Sequence, residues 1–180
     1  MQRELMGVTL MECLVALAIM AILSVLAVPS FRDLLVRRTV LVTAEALVDD
    51  LRFARTEALK RGGQVSVCSS ANGLACSQSA VWVEGWIVFV DGGNTAEVDG
   101  SDEILRVQTR QSGMASIASD PPGNDKSIFS FRPLGMASPA SQSFKLTPTA
   151  PVPAKRERWV CISSQGRPRL ATAGATGCSS

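Results

Sequence analysis

Apolar positions change their spacing along the chain, and each change predicts a different element. Residues 8–28 read VTLMECLVALAIMAILSVLAV, with Glu12 as the single charge. These 21 residues span roughly 31 Å as a helix, about one bilayer core. Pro29 follows, and its ring and missing N–H predict a loosened or bent helix there. Beyond it, Leu34, Leu41, Ala44, Leu47, Val48, Leu51, Ala54 and Ala58 recur at helical steps. Arg32, Arg37, Arg38, Glu45, Asp49, Asp50, Arg52, Arg55 and Glu57 largely fall on other faces. This second stretch reads as an amphipathic helix with one side to bury, ended by Gly62-Gly63. One long helix over residues 8–61 is expected, with a membrane half (8–28) and a packed half (29–61).

After Gly63 the texture turns to short β-like runs separated by turn residues. Strands are expected over residues 64–69, 85–90, 103–109, 127–132, 143–146, 158–163 and 167–171. The run Trp86-Ile87-Val88-Phe89-Val90 is apolar at every position and predicts burial on both faces. Residues 137–154, rich in Pro, Ser, Thr and Ala, read as a loop with a short strand inside. The expected class is α+β: a long N-terminal helix packed on a C-terminal antiparallel β-domain over residues 62–180. Trp82, Trp86, Phe89, Phe129, Phe131, Phe144 and Trp159 are its candidate core.

Composition narrows the chemistry. The 180 residues include no histidine, which excludes Ser-His-Asp and Cys-His catalysis, His-ligated zinc and a histidine pH switch. A net charge of +2 excludes bulk polycation behaviour, so any nucleic-acid contact has to be local. No enzymatic activity, cofactor or small-molecule substrate is expected. Cys68 and Cys76 lie eight apart, and Cys161 and Cys178 lie 17 apart. Four cysteines allow three pairings, of which the two local ones close short loops. Disulfides are expected, as suits a small β-domain in an oxidising compartment, and no metal site is expected, since no CxxC-like knuckle occurs. Cys13, inside the apolar run, reads as a small hydrophobe. The segment holding Glu84, Asp91, Glu97, Asp99, Asp102 and Glu103 contains no base. It reads as a solvated acidic hairpin, with a calcium loop as the alternative.

Glu12 is the anomaly. An acid near the middle of a membrane helix costs roughly 2.5–3.5 kcal/mol, less toward the interface, and no cation shares the run. A Sec-type signal cut near Ala27 has no evident use for such a residue. Cleavage after Gly7 would give Val8 a free α-amine about one helical turn from Glu12, available to this carboxylate or to a staggered neighbour's. Gly7-Val8-Thr9-Leu10-Met11-Glu12, followed by an apolar helix and Pro29, resembles the class III prepilin signature of type IV pilins and type II secretion pseudopilins. Gly7, Thr9, Leu10 and Glu12 match the pattern, whereas Val8, Met11 and Cys13 stand where the family usually has Phe, Ile and Leu. The resemblance implies a leader over residues 1–7, cleavage after Gly7 by a prepilin peptidase, methylation of the Val8 amine, and a role for Glu12 in assembly. Arg3 precedes the segment while Arg32, Arg37 and Arg38 follow it, so the positive-inside rule alone would keep the C-terminal part in the cytoplasm. The prepilin signature and the cysteines both favour export instead.

The C-terminal region is basic: Lys155, Arg156, Arg158, Arg167 and Arg169 are offset only by Glu157. If Arg167-Pro168-Arg169 is extended, both guanidiniums share one face about 7 Å apart, near the spacing of successive phosphates. Pro168 donates no ladder hydrogen bond, which favours an edge or loop position and hence exposure. Gly166-Arg167-Pro168-Arg169 resembles a Gly-Arg-x-Arg motif of FimT-like minor pilins, some of which bind DNA in natural transformation. The Cys68 strand and the stretch from Gly85 to Asp91 also resemble the GspH/FimT domain. The resemblance implies a minor pilin or pseudopilin of the inner membrane, its C-terminal domain periplasmic, its partners other pilins, the prepilin peptidase and inner-membrane lipid. It implies as an alternative a pilus-tip DNA receptor using Arg167 and Arg169, helped by Lys155, Arg156 and Arg158.

Overall fold

Helix α1 occupies Leu10–Arg61 in the computed structural model, which describes residues 9–93, 97–119, 126–149 and 156–178. The chain divides into two units, Met1–Leu35 and Val36–Ser180, and α1 contributes to both.

In the first unit the helix opens on a capping box. Thr9 Oγ1 accepts the Glu12 N–H at 3.3 Å, and Glu12 Oε2 accepts the Thr9 N–H at 3.5 Å. Leu10, Leu17, Ile22 and Leu23 are all more than half exposed, so this stretch presents an apolar surface. It is long and apolar enough to cross a membrane. The helix continues through Pro29, whose missing N–H leaves the Val25 carbonyl without its usual donor. Leu34, expected on the buried stripe, is half exposed and belongs to this unit.

In the second unit the stripe predicted from the sequence buries. Ala44, Leu47, Val48, Leu51, Ala54 and Ala58 are all in the core, Leu41 is only partly buried, and Val40, outside the predicted stripe, joins the core. Gly62, at φ 63°, supplies the left-handed residue that ends the helix. Two antiparallel sheets follow. Strands β1 (Val65–Ser69), β2 (Trp86–Val90), β3 (Ile104–Gln108), β5 (Ile128–Phe131) and β6 (Ala137–Ser138) form one, in the order β3-β2-β1-β5-β6. Strands β4 (Met114–Ser119), β7 (Gln142–Pro148), β8 (Arg158–Ile162) and β9 (Pro168–Leu170) form the other, in the order β4-β7-β8-β9.

One hydrophobic cluster joins the helix stripe to both sheets, through Val65, Val67, Trp86, Val88, Phe129 and Phe131 of the first and Phe144, Leu146, Val160 and Ile162 of the second. Trp82, in a single 3-10 turn (Trp82–Glu84), meets Phe144 edge-on at 5.0 Å and donates its indole N–H to the Lys126 carbonyl. The opposite side of β2 is also covered, because Ile87 and Phe89 form a second small cluster with Cys68, flanked by Cys76, Val98, Ile104 and Ile128. This explains the uninterrupted apolar run of β2. All seven aromatic residues singled out from the sequence are buried.

The structure adds two strands that the pattern did not announce. In β4 only Met114 and Ile117 are large and apolar, and their three-residue spacing hides the alternation. Strand β6 is only two residues long. Strand β7 runs from Gln142 to Pro148 rather than over 143–146, because the strict in-out alternation extends to both ends.

Candidate functional site

Four places carry the residues singled out from the sequence, and a fifth emerges only in three dimensions. Gly7 and Val8 lie outside the described residues. Glu12 caps its own helix through Thr9, and is exposed within the chain. Cys13 is a free, exposed thiol in the same stretch.

The structure pairs Cys68 with Cys76 and Cys161 with Cys178, with Cα–Cα distances of 5.5 and 5.6 Å. The first bridge fastens the loop after β1 over the Ile87–Phe89 side of its sheet. The second draws the C-terminal loop onto the outer side of β8, where Trp159, Cys161 and Ala171 form a third cluster.

The basic residues do not converge as one surface. Lys155 lies outside the described residues. Arg158 sits in β8 at the same parity as Val160 and Ile162, whose side chains enter the core, so its position is on the inner side of the sheet. Arg169 pairs in register with Cys161, on the outer side. The two positions are separated by about 10 Å along the strand direction and lie on opposite faces. Arg156 is a half-buried single residue before β8, already engaged in an interaction of its own. Arg158 therefore does not extend the surface formed by Arg167 and Arg169. Those two are exposed, with the buried Pro168 between them on the edge strand β9, as expected from its missing N–H.

Local bonds hold this segment. The Arg167 N–H donates to Ser163 Oγ at 3.2 Å, and Arg169 Nη2 donates to the Cys178 carbonyl at 3.0 Å. Gly166, at φ 72°, lies so near the Gly135 carbonyl that a Cβ would collide with that backbone. The glycine of the Gly-Arg-Pro-Arg stretch is thus required by the turn's seat against its neighbour. Beside Arg169 lies an open depression of about 240 Å³, bordered by Ser141, Ser143, Ser163 and the Cys161–Cys178 bridge.

The acidic segment is occupied internally. Asp102 accepts the backbone N–H groups of Gly92 and Asp99, Asp99 accepts Ser101, Glu84 pairs with Arg110, and Glu103 pairs with Arg61. Asp91 is buried and accepts Ser66 Oγ and Gln64 Nε2. Among the described residues, no group of three or more His, Cys, Asp or Glu converges as a metal site would.

The sequence reading placed Asp50 and Glu57 on the solvent side of α1, and the structure corrects both. Thr43, Asp50 and Glu57, seven residues apart, form a buried polar row beside the apolar stripe. Asp50 Oδ2 accepts the Trp86 indole N–H at 2.9 Å, and Oδ1 accepts Arg106 Nη1 at 2.9 Å. The Arg106 guanidinium also lies 3.8 Å from the centre of the Phe53 ring. Two turns on, Glu57 accepts Arg61 Nε at 2.7 Å, and Arg61 also reaches Glu103. The hydrogen bond from Arg61 holds the Glu57 carboxyl below the ordinary range, and Glu57 in turn raises Arg61. These contacts fix the packed half of α1 to β2 and β3.

The fold is similar to that of solved filament proteins. The type IV minor pilin FimU of Pseudomonas aeruginosa (strain PAO1) superposes with a TM-score of 0.60 at 18% identity, over 77% of this chain and 92% of that one. A second crystal form of the same protein gives 0.56, again at 18% identity, over 73% and 92%. The minor pseudopilin EpsH of the type 2 secretion system of Vibrio cholerae gives 0.53 at 12% identity, over 76% of this chain and 98% of that one. No curated protein sequence matches the chain. The family described as "Type II transport protein GspH" matches residues 43–166, from the packed half of α1 to the turn that precedes Arg167. With that match covering well over half of its length, the chain belongs to the GspH family.

Proposed function

We propose that this chain is a minor pilin or pseudopilin: a filament subunit held in the inner membrane by the first half of α1, with its β-domain in the periplasm. The observation that carries this reading is a helix start with exposed apolar side chains and one carboxylate, Glu12, on a chain whose remainder has the pilin-like fold. An exposed apolar helix face is covered by lipid before assembly and by neighbouring subunits' helices afterwards. Its work is structural. Cleavage after Gly7 exposes the Val8 amine, methylation caps it, and Glu12 meets such an amine on an adjacent subunit. Mass spectrometry of the mature protein tests this: the chain begins at Val8 and carries one added methyl group. A mature chain still carrying Met1, or beginning beyond Ala27, overturns it. Loss of secretion against loss of twitching or transformation in a deletion strain assigns the filament to a secretion system or to a pilus.

A second reading rests on Arg167 and Arg169, both exposed, the first just before the edge strand β9 and the second within it. Two guanidiniums so placed suit a nucleic-acid backbone, the contact a DNA receptor at a pilus tip would make. A gel shift with Arg167→Ala and Arg169→Ala together tests it. Weaker binding with a flatter salt dependence supports a receptor, and unchanged affinity removes that role while leaving the filament role in place.

A further inference from the structure

The packed half of α1 buries one side against the sheets and leaves a stripe of the other exposed. Arg38, Val42, Glu45, Asp49, Arg52 and Thr56 are all exposed, and their alternating steps of four and three residues align them along the helix. Three of them carry charge at seven-residue intervals, in the order plus, minus, plus: Arg38, Glu45 and Arg52. Among the described residues Arg38 and Glu45 have no ion-pair partner, and Arg52 has a long contact of 3.5 Å with Asp49. Beside the middle of the stripe lies a depression of about 310 Å³, roomy enough for a long side chain. It is bordered by Glu45, Val48, Asp49 and Arg52 of the helix and by Leu170 of β9.

We propose that this stripe docks a second copy of the chain, parallel to the first and displaced by seven residues along α1. At that displacement the charges complement themselves. Arg38 meets the partner's Glu45, and Glu45 meets the partner's Arg52, two attractive contacts about 10 Å apart. With no displacement every charge faces its own kind. A shift of four residues opposes Glu45 to the partner's Asp49, and a shift of 14 opposes Arg38 to the partner's Arg52. Shifts of three or 11 form a single attractive pair each. The incoming Arg38 can lay its stem on Val48 and Leu170 while its guanidinium reaches the Glu45 carboxylate, as long cationic side chains do. Exposed pairs are worth only about 1.5- to fivefold each, so the stripe selects one register against the others and does not by itself hold the copies together. The proposal rests on the filament reading in one respect: copies that enter a membrane or filament by the same end of α1 run parallel.

Cross-linking between two differently tagged full-length copies in one membrane tests this, in a Cys13→Ala background because Cys13 is a free thiol. At the proposed displacement Val42 stands level with the partner's Asp49. Val42→Cys in one copy and Asp49→Cys in the other should join through a short bismaleimide about fivefold more than either variant joins itself. Glu45→Arg in both copies turns both attractive contacts into repulsive ones and lowers that yield about fivefold or more. Reversing all three charges together, Arg38→Glu, Glu45→Arg and Arg52→Glu, brings the yield back to within about twofold of the original, a recovery that a merely disturbed helix would not show. Equal yields from the three cysteine combinations overturn the proposal, as does an unchanged yield with Glu45→Arg or no recovery in the triple variant. Absence of any cross-link between copies assigns this face to a different subunit and overturns it as well. Mass spectrometry of the mature chain in the same membranes separates the two readings. A chain that begins at Val8 but forms no cross-link keeps the filament role and removes the stripe, whereas the cross-link on a chain still carrying Met1 does the reverse.

Discussion

Asp50 is the point at which the packed half of α1 is tied to the sheet, and its removal has a calculable cost. Asp50→Ala leaves the Trp86 indole N–H, on a side chain with no exposed surface, without an acceptor. A buried orphaned donor costs about 1–3 kcal/mol. Arg106 loses its ion pair as well, but its side chain is 43% exposed and water replaces the carboxylate, so that loss is about 0.5–1 kcal/mol. Against these stands the desolvation of a carboxylate only 2% exposed, which the variant no longer has to bear. The hydrogen-bonded geometry at 2.9 Å on both oxygens offsets most of that cost in the native protein, so the balance is a destabilisation of about 2–3 kcal/mol. For a unit of this size that lowers the unfolding midpoint by about 4–12 °C. Asp50→Asn keeps an acceptor for Trp86 but exchanges the charged acceptor of Arg106 for an amide N–H2 group, which the partly exposed guanidinium can turn away from into water, so it costs about half as much. Tryptophan fluorescence during thermal and urea unfolding of the full-length protein reads both variants, with Trp86 itself among the reporters. Asp50→Ala within about 0.5 kcal/mol of the wild type would refute the reasoning, as would Asp50→Asn being the more damaging of the two.

Other consequences follow from the same contacts. On chain-entropy grounds, opening the eight-residue Cys68–Cys76 loop costs about 2.5 kcal/mol and the 17-residue Cys161–Cys178 loop about 3 kcal/mol. Cys68→Ser should exceed its figure in urea unfolding because it also places a hydroxyl in the Ile87–Phe89 cluster, and a smaller loss than Cys178→Ser would contradict that packing argument. Arg61 lowers the Glu57 pKa in the folded chain, so the folded state binds fewer protons than the unfolded one in the acid range. That contribution is fully present above the unfolded value, near pH 4.5, and is lost as the pH falls through the lower folded one. Glu57→Gln should therefore flatten the acid limb of stability against pH, and an unchanged slope would show that the Arg61 contact has no energetic weight.

The sequence made the apolar and amphipathic stretches of α1 and seven strands legible because each carries its own period. Strand β4 did not, since Met-Ala-Ser-Ile-Ala-Ser contains too few large side chains to display an alternation. Asp50 was misread for a different reason. A charge on a helix is solvent-facing by default, and only its contacts with Trp86 and Arg106, 36 and 56 residues away, reverse that. The sole local hint was the seven-residue recurrence of Thr43, Asp50 and Glu57 beside the apolar stripe. Arg158 shows the same limit: its face is set by pairing with Leu146 across β7 and β8. Pro168 was readable, because a missing donor is a property of the residue and not of its neighbours. The depression beside Arg169 was not, since it arises only when a bridge 17 residues long closes over β8.

Glu12 has two candidate duties, and the capping box separates them. Within the chain its carboxylate serves the Thr9 N–H, a contact any side-chain oxygen can make. In a filament it would meet a neighbour's Val8 amine, a contact that needs the negative charge. Glu12→Gln keeps the acceptor and removes the charge, and the glutamine of a capping box supports a helix start about as well as glutamate. Glu12→Ala removes both. If charge pairing guides assembly, both variants accumulate as stable, processed membrane proteins and both are absent from sheared filaments, quantified by immunoblot against the membrane fraction. If the helix cap is the whole of the residue's role, Glu12→Gln enters filaments at the wild-type level and only Glu12→Ala declines, by no more than its loss of about 1 kcal/mol in helix stability would dictate. Incorporation of Glu12→Gln at the wild-type level would therefore remove the inter-subunit contact from the account, whatever the alanine variant does.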